Sequence, residues 1–155
     1  SRWIISDGEV GERANFDGMD LRNIALTGCD LRGALFTGAQ LEGTQFNQCE
    51  LMLANFSGTD LVRASFLGAT LRGTIFVNAN LIDAKFLGAR LEVAEIFNAQ
   101  QKSTGKSIPV MFNGAVLQGT DFSRATISGA NFTDSVQFGT VWNHAKIENC
   151  TGIVG

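Results

Sequence analysis

From Phe16 onwards, every fifth residue is large and apolar: Phe16, Leu21, Leu26, Leu31, Phe36, Leu41, Phe46, Leu51, Phe56, Leu61, Phe66, Leu71, Phe76, Leu81, Phe86, Leu91 and Ile96. That is seventeen consecutive matches. Between 54 and 91 a small residue stands two places before each: Ala54, Thr59, Ala64, Ala69, Thr74, Ala79, Ala84 and Ala89. A period of five fits neither a helix nor a simple strand. It fits a solenoid with very short sides. In an extended stretch, residues two apart share a face, so the small and the large residue both point inward. The residue between them is mostly polar, as at Asn15, Asp20, Asp30, Gln40, Glu50, Asp60 and Asn80. Two places after the large residue stands Gly or Asn in many repeats, among them Gly18, Asn23, Gly58, Gly73 and Asn78. Both tolerate the positive φ of a tight corner.

The alternation of Phe and Leu sets the number of sides. Phe16, Phe36, Phe56 and Phe76 are spaced by twenty, as are Phe46, Phe66 and Phe86; Leu21 to Leu81 and Leu31 to Leu91 form two further sets. Four sides of five residues stack like on like, whereas three sides put Phe over Leu in every column. Four sides are predicted, with neighbouring coils paired as parallel strands at a spacing of roughly 4.8 Å.

The frame falters after Ile96. Ala99-Gln100-Gln101 keeps the small residue but places Gln where Leu belongs, and KSTGKSIPVM follows with Pro109, the single proline. The repeat resumes at Phe112, Leu117, Phe122, Ile127 and Phe132, then Trp142 and Ile147. The expectation is an inserted loop near 100–110 with about six surplus residues, which places Phe112 in the column of Phe46, Phe66 and Phe86. The last coil degrades, with Gln137 in an apolar position beside Phe138. The predicted organisation is one domain over 1–155: a cap over 1–13 built on Trp3, Ile4 and Ile5, coils over 14–99, the loop over 100–110, further coils over 111–149 and a tail over 150–155.

Ala54-Asn55-Phe56, Ala79-Asn80-Leu81 and Ala130-Asn131-Phe132 resemble the motif of the pentapeptide-repeat proteins, roughly A(D/N)LXX. The resemblance covers roughly residues 14–149. It implies an all-β, right-handed quadrilateral β-helix, here of about six coils, and the hand comes from the resemblance alone. Many members of the family occur in cyanobacteria, often in the periplasm or thylakoid lumen, with no assigned activity. Some bind DNA gyrase by imitating duplex DNA and confer quinolone resistance, and these tend to dimerise through a C-terminal helix. No such helix is visible after Cys150.

Charge narrows the function classes. Twelve Lys and Arg against fifteen Asp and Glu leave a net charge of −3, which argues against binding nucleic acid through a basic surface. No apolar run approaches the ~18 residues of a membrane span. The three cysteines form no metal-ligand cluster with the single His144. Cys29 and Cys49 are twenty residues apart in the small inward position, with parallel rather than converging side chains, so buried free thiols are expected. The segment Gln101 to Ser107 superficially resembles a phosphate loop, but Gln100 stands where that pattern needs Gly. No nucleophile and carboxylate flank His144 by register. Cofactors, metals and catalysis are therefore not predicted, and the chain is read as not an enzyme.

Two candidate surfaces remain. One is the loop, with Gln101, Lys102, Ser103, Thr104, Lys106 and Ser107 as partner-binding residues, because function concentrates where a regular array is interrupted. The other is an exposed apolar stripe of Val62 and Ile82 in one outward column and Leu67 and Leu87 in another. Leu35 and Ile75 share a third. The reading is a non-enzymatic protein-binding or scaffold module whose partner is another protein, existing as a monomer or an end-to-end dimer; the residues do not fix a compartment, which is the cytoplasm or, as the resemblance implies, the periplasm or thylakoid lumen. The alternative is a DNA-mimicking inhibitor of gyrase, which requires a continuous acidic face; the outward column Arg22, Glu42, Val62, Ile82 is mixed.

Overall fold

A side chain large enough to fill a coil, repeated every five residues, forces the backbone to turn four times in twenty. The computed structural model describes residues 13–154 and shows this arrangement. Asn15 pairs with Leu35, Leu35 with Asn55 and Asn55 with Ile75, each parallel and twenty residues on, and the other three faces repeat the spacing. Each face is so short that most rungs are single-residue bridges. Among the described residues, regular parallel strands occur only at β1 (Arg90–Leu91), β4 (Thr126–Ser128) and β5 (Lys146–Glu148), stacked in that order. The expected cap at Trp3, Ile4 and Ile5 lies outside the described residues.

One repeat explains the others. The Phe56 N–H donates to Ile75 O at 2.7 Å in the next coil, and the Asn55 N–H donates to Ala34 O at 2.9 Å in the previous one. The Thr59 N–H closes the turn on Phe56 O at 3.3 Å. Its third residue, Gly58, has φ +64°, as a type II turn requires. Asn55 Oδ1 accepts the Ser57 N–H at 2.9 Å, which is the physical reason for Asn or Asp between the two inward positions. Inward threonines stay satisfied by reaching back one coil, as Thr74 Oγ1 does to Leu51 O at 2.9 Å and Thr120 Oγ1 to Leu81 O at 2.7 Å, or within their own turn, as Thr59 Oγ1 does to Phe56 O at 2.6 Å.

Two phenylalanine stacks fill the interior from opposite faces. Phe36 and Phe56 lie 4.7 Å apart at 3°, and Phe46 and Phe66 lie 5.1 Å apart at 8°. The stacks meet edge-on, as at Phe46 and Phe56, 5.4 Å apart at 79°. Both geometries suit the ring quadrupole. Leucine columns occupy the two remaining faces, and Phe36 through Phe132 are fully buried at frame positions.

Corners show a second regularity, running from coil to coil. The Asn23 side chain lies over Gly43, Asn78 over Gly114 and Asp83 over Gly119, each Oδ1 2.3–2.4 Å from where a Cβ on the glycine would sit. At these three corners the side chain below leaves no room for a Cβ on the glycine above.

The insertion differs from expectation. Ile75 pairs with Met111, thirty-six residues on rather than twenty, so sixteen residues are surplus instead of six. The frame ends at Leu91, and Ile96 belongs to the insertion. Phe112 stacks on Phe76 at 5.0 Å, and Phe122 stacks on Phe86 at 4.8 Å. Phe112 therefore continues the column of Phe36, Phe56 and Phe76, and not that of Phe46, Phe66 and Phe86. The surplus is a β-hairpin that leaves after Leu91, so its boundaries are not 100–110. The reason is local. All fifteen corners from Gly18 to Gly88 have positive φ, and the next corner position holds Val93, which does not. A β-branched residue does not adopt the left-handed conformation without strain.

At the C-terminal end the ladder runs past 149, with Thr151 paired to Asn131. Gln137, in the leucine column, donates to Gly152 O at 2.6 Å and accepts the Val154 N–H at 3.1 Å, folding the last residues across the final coil. Trp142 stacks on Phe122 at 4.8 Å. Phe138 stands outside, 78% exposed, beside an open depression of about 600 Å³ shared with Ile147 and Val154.

Candidate functional site

The hairpin consists of β2 (Ala94–Phe97) and β3 (Ser103–Ile108), antiparallel, with Ala94 opposite Ile108, Glu95 opposite Ser107 and Phe97 opposite Ser103. Asn98 organises the turn. Its Oδ1 accepts the N–H groups of Gln100 and Lys102, both at 3.0 Å, and its own N–H donates to Lys102 O at 3.0 Å. Gln101, expected near the frame, is the left-handed residue of this turn at φ +57°. Below it Thr104, Gly105 and Lys106 oppose the single residue Ile96. Thr104 Oγ1 donates to Ile96 O at 2.7 Å and accepts the Lys106 N–H at 3.3 Å, while Gly105 takes φ +71°. The segment that resembles a phosphate loop is thus the irregular half of a hairpin, hydrogen-bonded within itself.

The root is wedged between coils. A Cβ on Gly73, one coil earlier, meets Ala94 Cβ at 2.7 Å, Leu53 Cδ2 at 2.9 Å and Ile108 O at 3.2 Å. A Cβ on Gly129, one coil later, meets Val93 Cγ1 at 2.7 Å. Leu53 is a leucine in a corner of φ +60°, a costly conformation, and its side chain lies against this root. Glu92 joins the arginines at the exit: Arg90 at 3.0 Å and Arg72 at 3.8 Å, with Arg72 Nε also donating to Val93 O at 3.4 Å.

Sequence reasoning brings the loop candidates to one element. Lys102, Ser103, Thr104, Lys106 and Ser107 are all exposed on the hairpin with Gln101. It misses Phe97, which is 53% exposed on β2, because Ala94-Glu95-Ile96 imitates one more repeat and hides the break. Val93 at a corner is the signal that reveals it.

The apolar stripe divides. Val62 and Ile82 are half-buried on the second face, while Leu67 and Leu87 are 40% and 37% exposed on the third. The corner between carries Arg63 and Asp83 and opens on a polar depression with Gln45, Asn47, Ser65 and Lys85. The hairpin leaves at the corner between the fourth and first faces, diagonally across the rod. The stripe is therefore not covered by the insertion, and the two candidate surfaces do not form one site.

The titratable groups are arranged for structure. The Arg22 guanidinium hydrogen-bonds Asp20 through two contacts and holds its carboxyl down at about 2, and Arg32 lowers Asp30 likewise. Arg63 pairs with Glu42 across coils. Cys29, Cys49 and Cys150 are free thiols; Cys49 is buried and donates to Leu26 O at 2.8 Å, and burial pushes its thiol up. His144 occupies an exposed corner at φ +60°. Among the described residues, no three His, Cys, Asp or Glu side chains are grouped to hold a metal, and no helix is long and apolar enough to cross a membrane.

The family model for pentapeptide repeats matches in eight copies over residues 14–51, 49–88 and 111–136. No match is found among curated proteins. Among solved structures the chain is similar to HetL, a pentapeptide repeat protein involved in heterocyst differentiation regulation from the cyanobacterium Nostoc sp. strain PCC 7120. The identity is 20% over 95% of this chain and 92% of that one, with a TM-score of 0.38. It is also similar to QnrB1, a plasmid-mediated fluoroquinolone resistance protein, at 19% identity over 89% of this chain and 72% of that one, with a TM-score of 0.40. A pentapeptide repeat protein, Rfr23, from the cyanobacterium Cyanothece 51142 is 20% identical over 88% of this chain and 89% of that one, with a TM-score of 0.29.

Proposed function

The chain belongs to the pentapeptide-repeat family, with the right-handed quadrilateral β-helix of that family, and from this premise we propose that it is a non-enzymatic protein-binding scaffold whose inserted hairpin contacts the partner. One observation carries the reading. Sixteen residues stand outside the ladder on a hairpin that the rod holds firmly at its root, while the ladder closes around them through Met111 N–H to Thr74 O at 3.1 Å. A rigid rod that spends its own polar groups on coil stacking leaves the hairpin as the element free to recognise.

The gyrase-directed alternative has less support. A DNA mimic needs a continuous acidic face, and the acidic columns break: Asp20, Gln40, Asp60, Asn80, Val116 and Val136 follow one another on the second face. Self-association end to end is a further part of the proposal, carried by the exposed Phe138, Ile147 and Val154.

The test is removal of residues 93–108 together with Pro109→Gly. That joins Leu91-Glu92 to a corner glycine and Val110-Met111-Phe112, which restores the frame. The variant keeps the circular-dichroism spectrum of the rod and loses the proteins that the full chain retains in a quantitative pull-down. An unchanged set of retained proteins refutes the role of the hairpin. Protection or inhibition of gyrase supercoiling by micromolar full-length protein favours the alternative.

A further inference from the structure

We infer that Phe97 is the anchor of the hairpin and that it enters an apolar pocket with an acidic rim on a folded protein partner, where Lys102 and Lys106 meet the rim. The inference rests on the reading of the hairpin as the recognition element and specifies what that element recognises.

Phe97 is out of character for this chain. The frame phenylalanines from Phe36 to Phe132 are 0% exposed, and Phe97 is 53% exposed on an element that contributes nothing to the coil ladder. Exposed aromatics on pre-ordered elements are the usual carriers of binding energy at protein interfaces. The order is already present. Asn98 holds the turn, Thr104 ties β3 to β2, and Gly73 and Gly129 leave no room for the root to shift. Little conformational entropy remains to be lost on docking.

Charge identifies the rim. Every arginine from Arg22 to Arg90 is ion-paired, in the pairs Arg22–Asp20, Arg32–Asp30 and Arg63–Glu42 and with Glu92 shared by Arg72 and Arg90. Lys102 and Lys106 have no ion pair among the described residues, as is also true of Lys85, Arg124 and Lys146 on the coils, but only the hairpin pair flanks an exposed aromatic ring on a protruding element. Lys102 adjoins Ser103, the residue opposite Phe97. The one carboxylate on the hairpin, Glu95, lies toward the root, opposite Ser107. The outer end of the hairpin thus carries Phe97 and Lys102 without a carboxylate, and Lys106 stands at the bulge, between that end and Glu95. A membrane is the less fitting occupant, because one phenyl ring and two lysines bury too little to hold a protein on a bilayer. Two lysines are also too few for a phosphate backbone.

The experiment places the photoreactive analogue benzoylphenylalanine at position 97 of the full chain, with Leu67 and Ile82 substituted in parallel chains. Each is irradiated in extract, and the adduct is mapped by mass spectrometry. The partner identified is then purified and titrated. The expected result is an adduct from position 97 whose attachment point lies in an apolar depression bordered by Asp or Glu. Phe97→Ala then weakens the purified complex about thirtyfold, the scale of a hot-spot truncation. Lys102→Gln with Lys106→Gln slows association and flattens its salt dependence, and Leu67→Ala changes nothing. Unaltered affinity of Phe97→Ala, an attachment point without acidic neighbours, or adducts from 67 or 82 alone overturn the inference. So does Phe97-dependent retention of the chain on phosphatidylserine vesicles. If the hairpin deletion abolishes binding and Phe97→Ala does not, the anchor fails and the hairpin reading stands. If the deletion leaves binding intact, both fail.

Discussion

Gly58 and Gly73 are a matched pair that isolates what the hairpin root does to the rod. Their backbones are nearly the same, φ +64° and φ +62°, and both occupy corners. A Cβ on Gly58 meets nothing within 4 Å, while one on Gly73 meets Ala94 Cβ at 2.7 Å and Leu53 Cδ2 at 2.9 Å. Replacing either with alanine costs the left-handed backbone penalty, about 1–2 kcal/mol. At Gly73 a steric cost is added, because carbon pairs prefer separations of roughly 3.5–4.0 Å. The Leu53 methyl can swing aside, but Ala94 Cβ and Ile108 O are tied to the hairpin backbone. Overpacking of this kind costs about 1–3 kcal/mol. Gly73→Ala should therefore destabilise the protein by about 2–5 kcal/mol in urea denaturation, and Gly58→Ala by about 1–2 kcal/mol. Trypsin adds a local readout: cleavage after Lys102 and Lys106 accelerates in Gly73→Ala and not in Gly58→Ala, since the root is what shifts. Adding Ala94→Gly removes the shortest contact and recovers part of the loss. If the two single variants agree within about 0.5 kcal/mol and are cleaved at equal rates, the wedge is not there.

Three further outcomes follow from the core and the charges. Phe66→Ala, which removes a ring stacked on Phe46 and Phe86 and edge-on to Phe56 and Phe76, costs about 3–5 kcal/mol by chemical denaturation, whereas the exposed Phe138→Ala costs under about 0.5. Asp20 has a depressed folded-state pKa, so its pairing contributes above the ordinary carboxylate value of 3.8 and is lost as pH falls toward about 2; a carbon NMR titration shows its midpoint near 2, moving back toward 3.8 in Arg22→Ala, and a wild-type midpoint at 3.8 refutes the pairing. Native-state alkylation modifies half-buried Cys29 and Cys150 well before buried Cys49, as read by peptide mass spectrometry; equal rates for all three contradict the packing.

The coils are legible because a single physical demand, one large inward side chain per five residues, is written sixteen times from Phe16 to Leu91. Like-on-like columns made the four sides legible as well, since Phe36, Phe56 and Phe76 stack only if the coil closes after twenty. The start of the insertion is hidden because Ala94-Glu95-Ile96 has the small–polar–large form of a repeat. Inward periodicity says nothing about φ, and only the corner at Val93 registers the break. The column of Phe112 depends on the length of the insertion and is hidden with it. Phe97 is not legible because it sits outside the five-residue frame, where periodicity carries no information. The stripe was legible by column, but not its division, because adjacency across a corner depends on where the chain turns.

The rod closes around the hairpin as though it were not there. Phe76 N–H reaches Met111 O at 2.7 Å, and Leu81 N–H reaches Val116 O at 2.8 Å, distances no different from those in uninterrupted coils. What the coils require of the segment between Leu91 and Val110 is that it return to its starting corner and fit between Gly73 and Gly129. Its length, sequence and chemistry are otherwise free to drift. The corner after Leu91 is in that sense a socket: a lineage or an engineer can exchange the recognition element there while the ladders on either side stay in register.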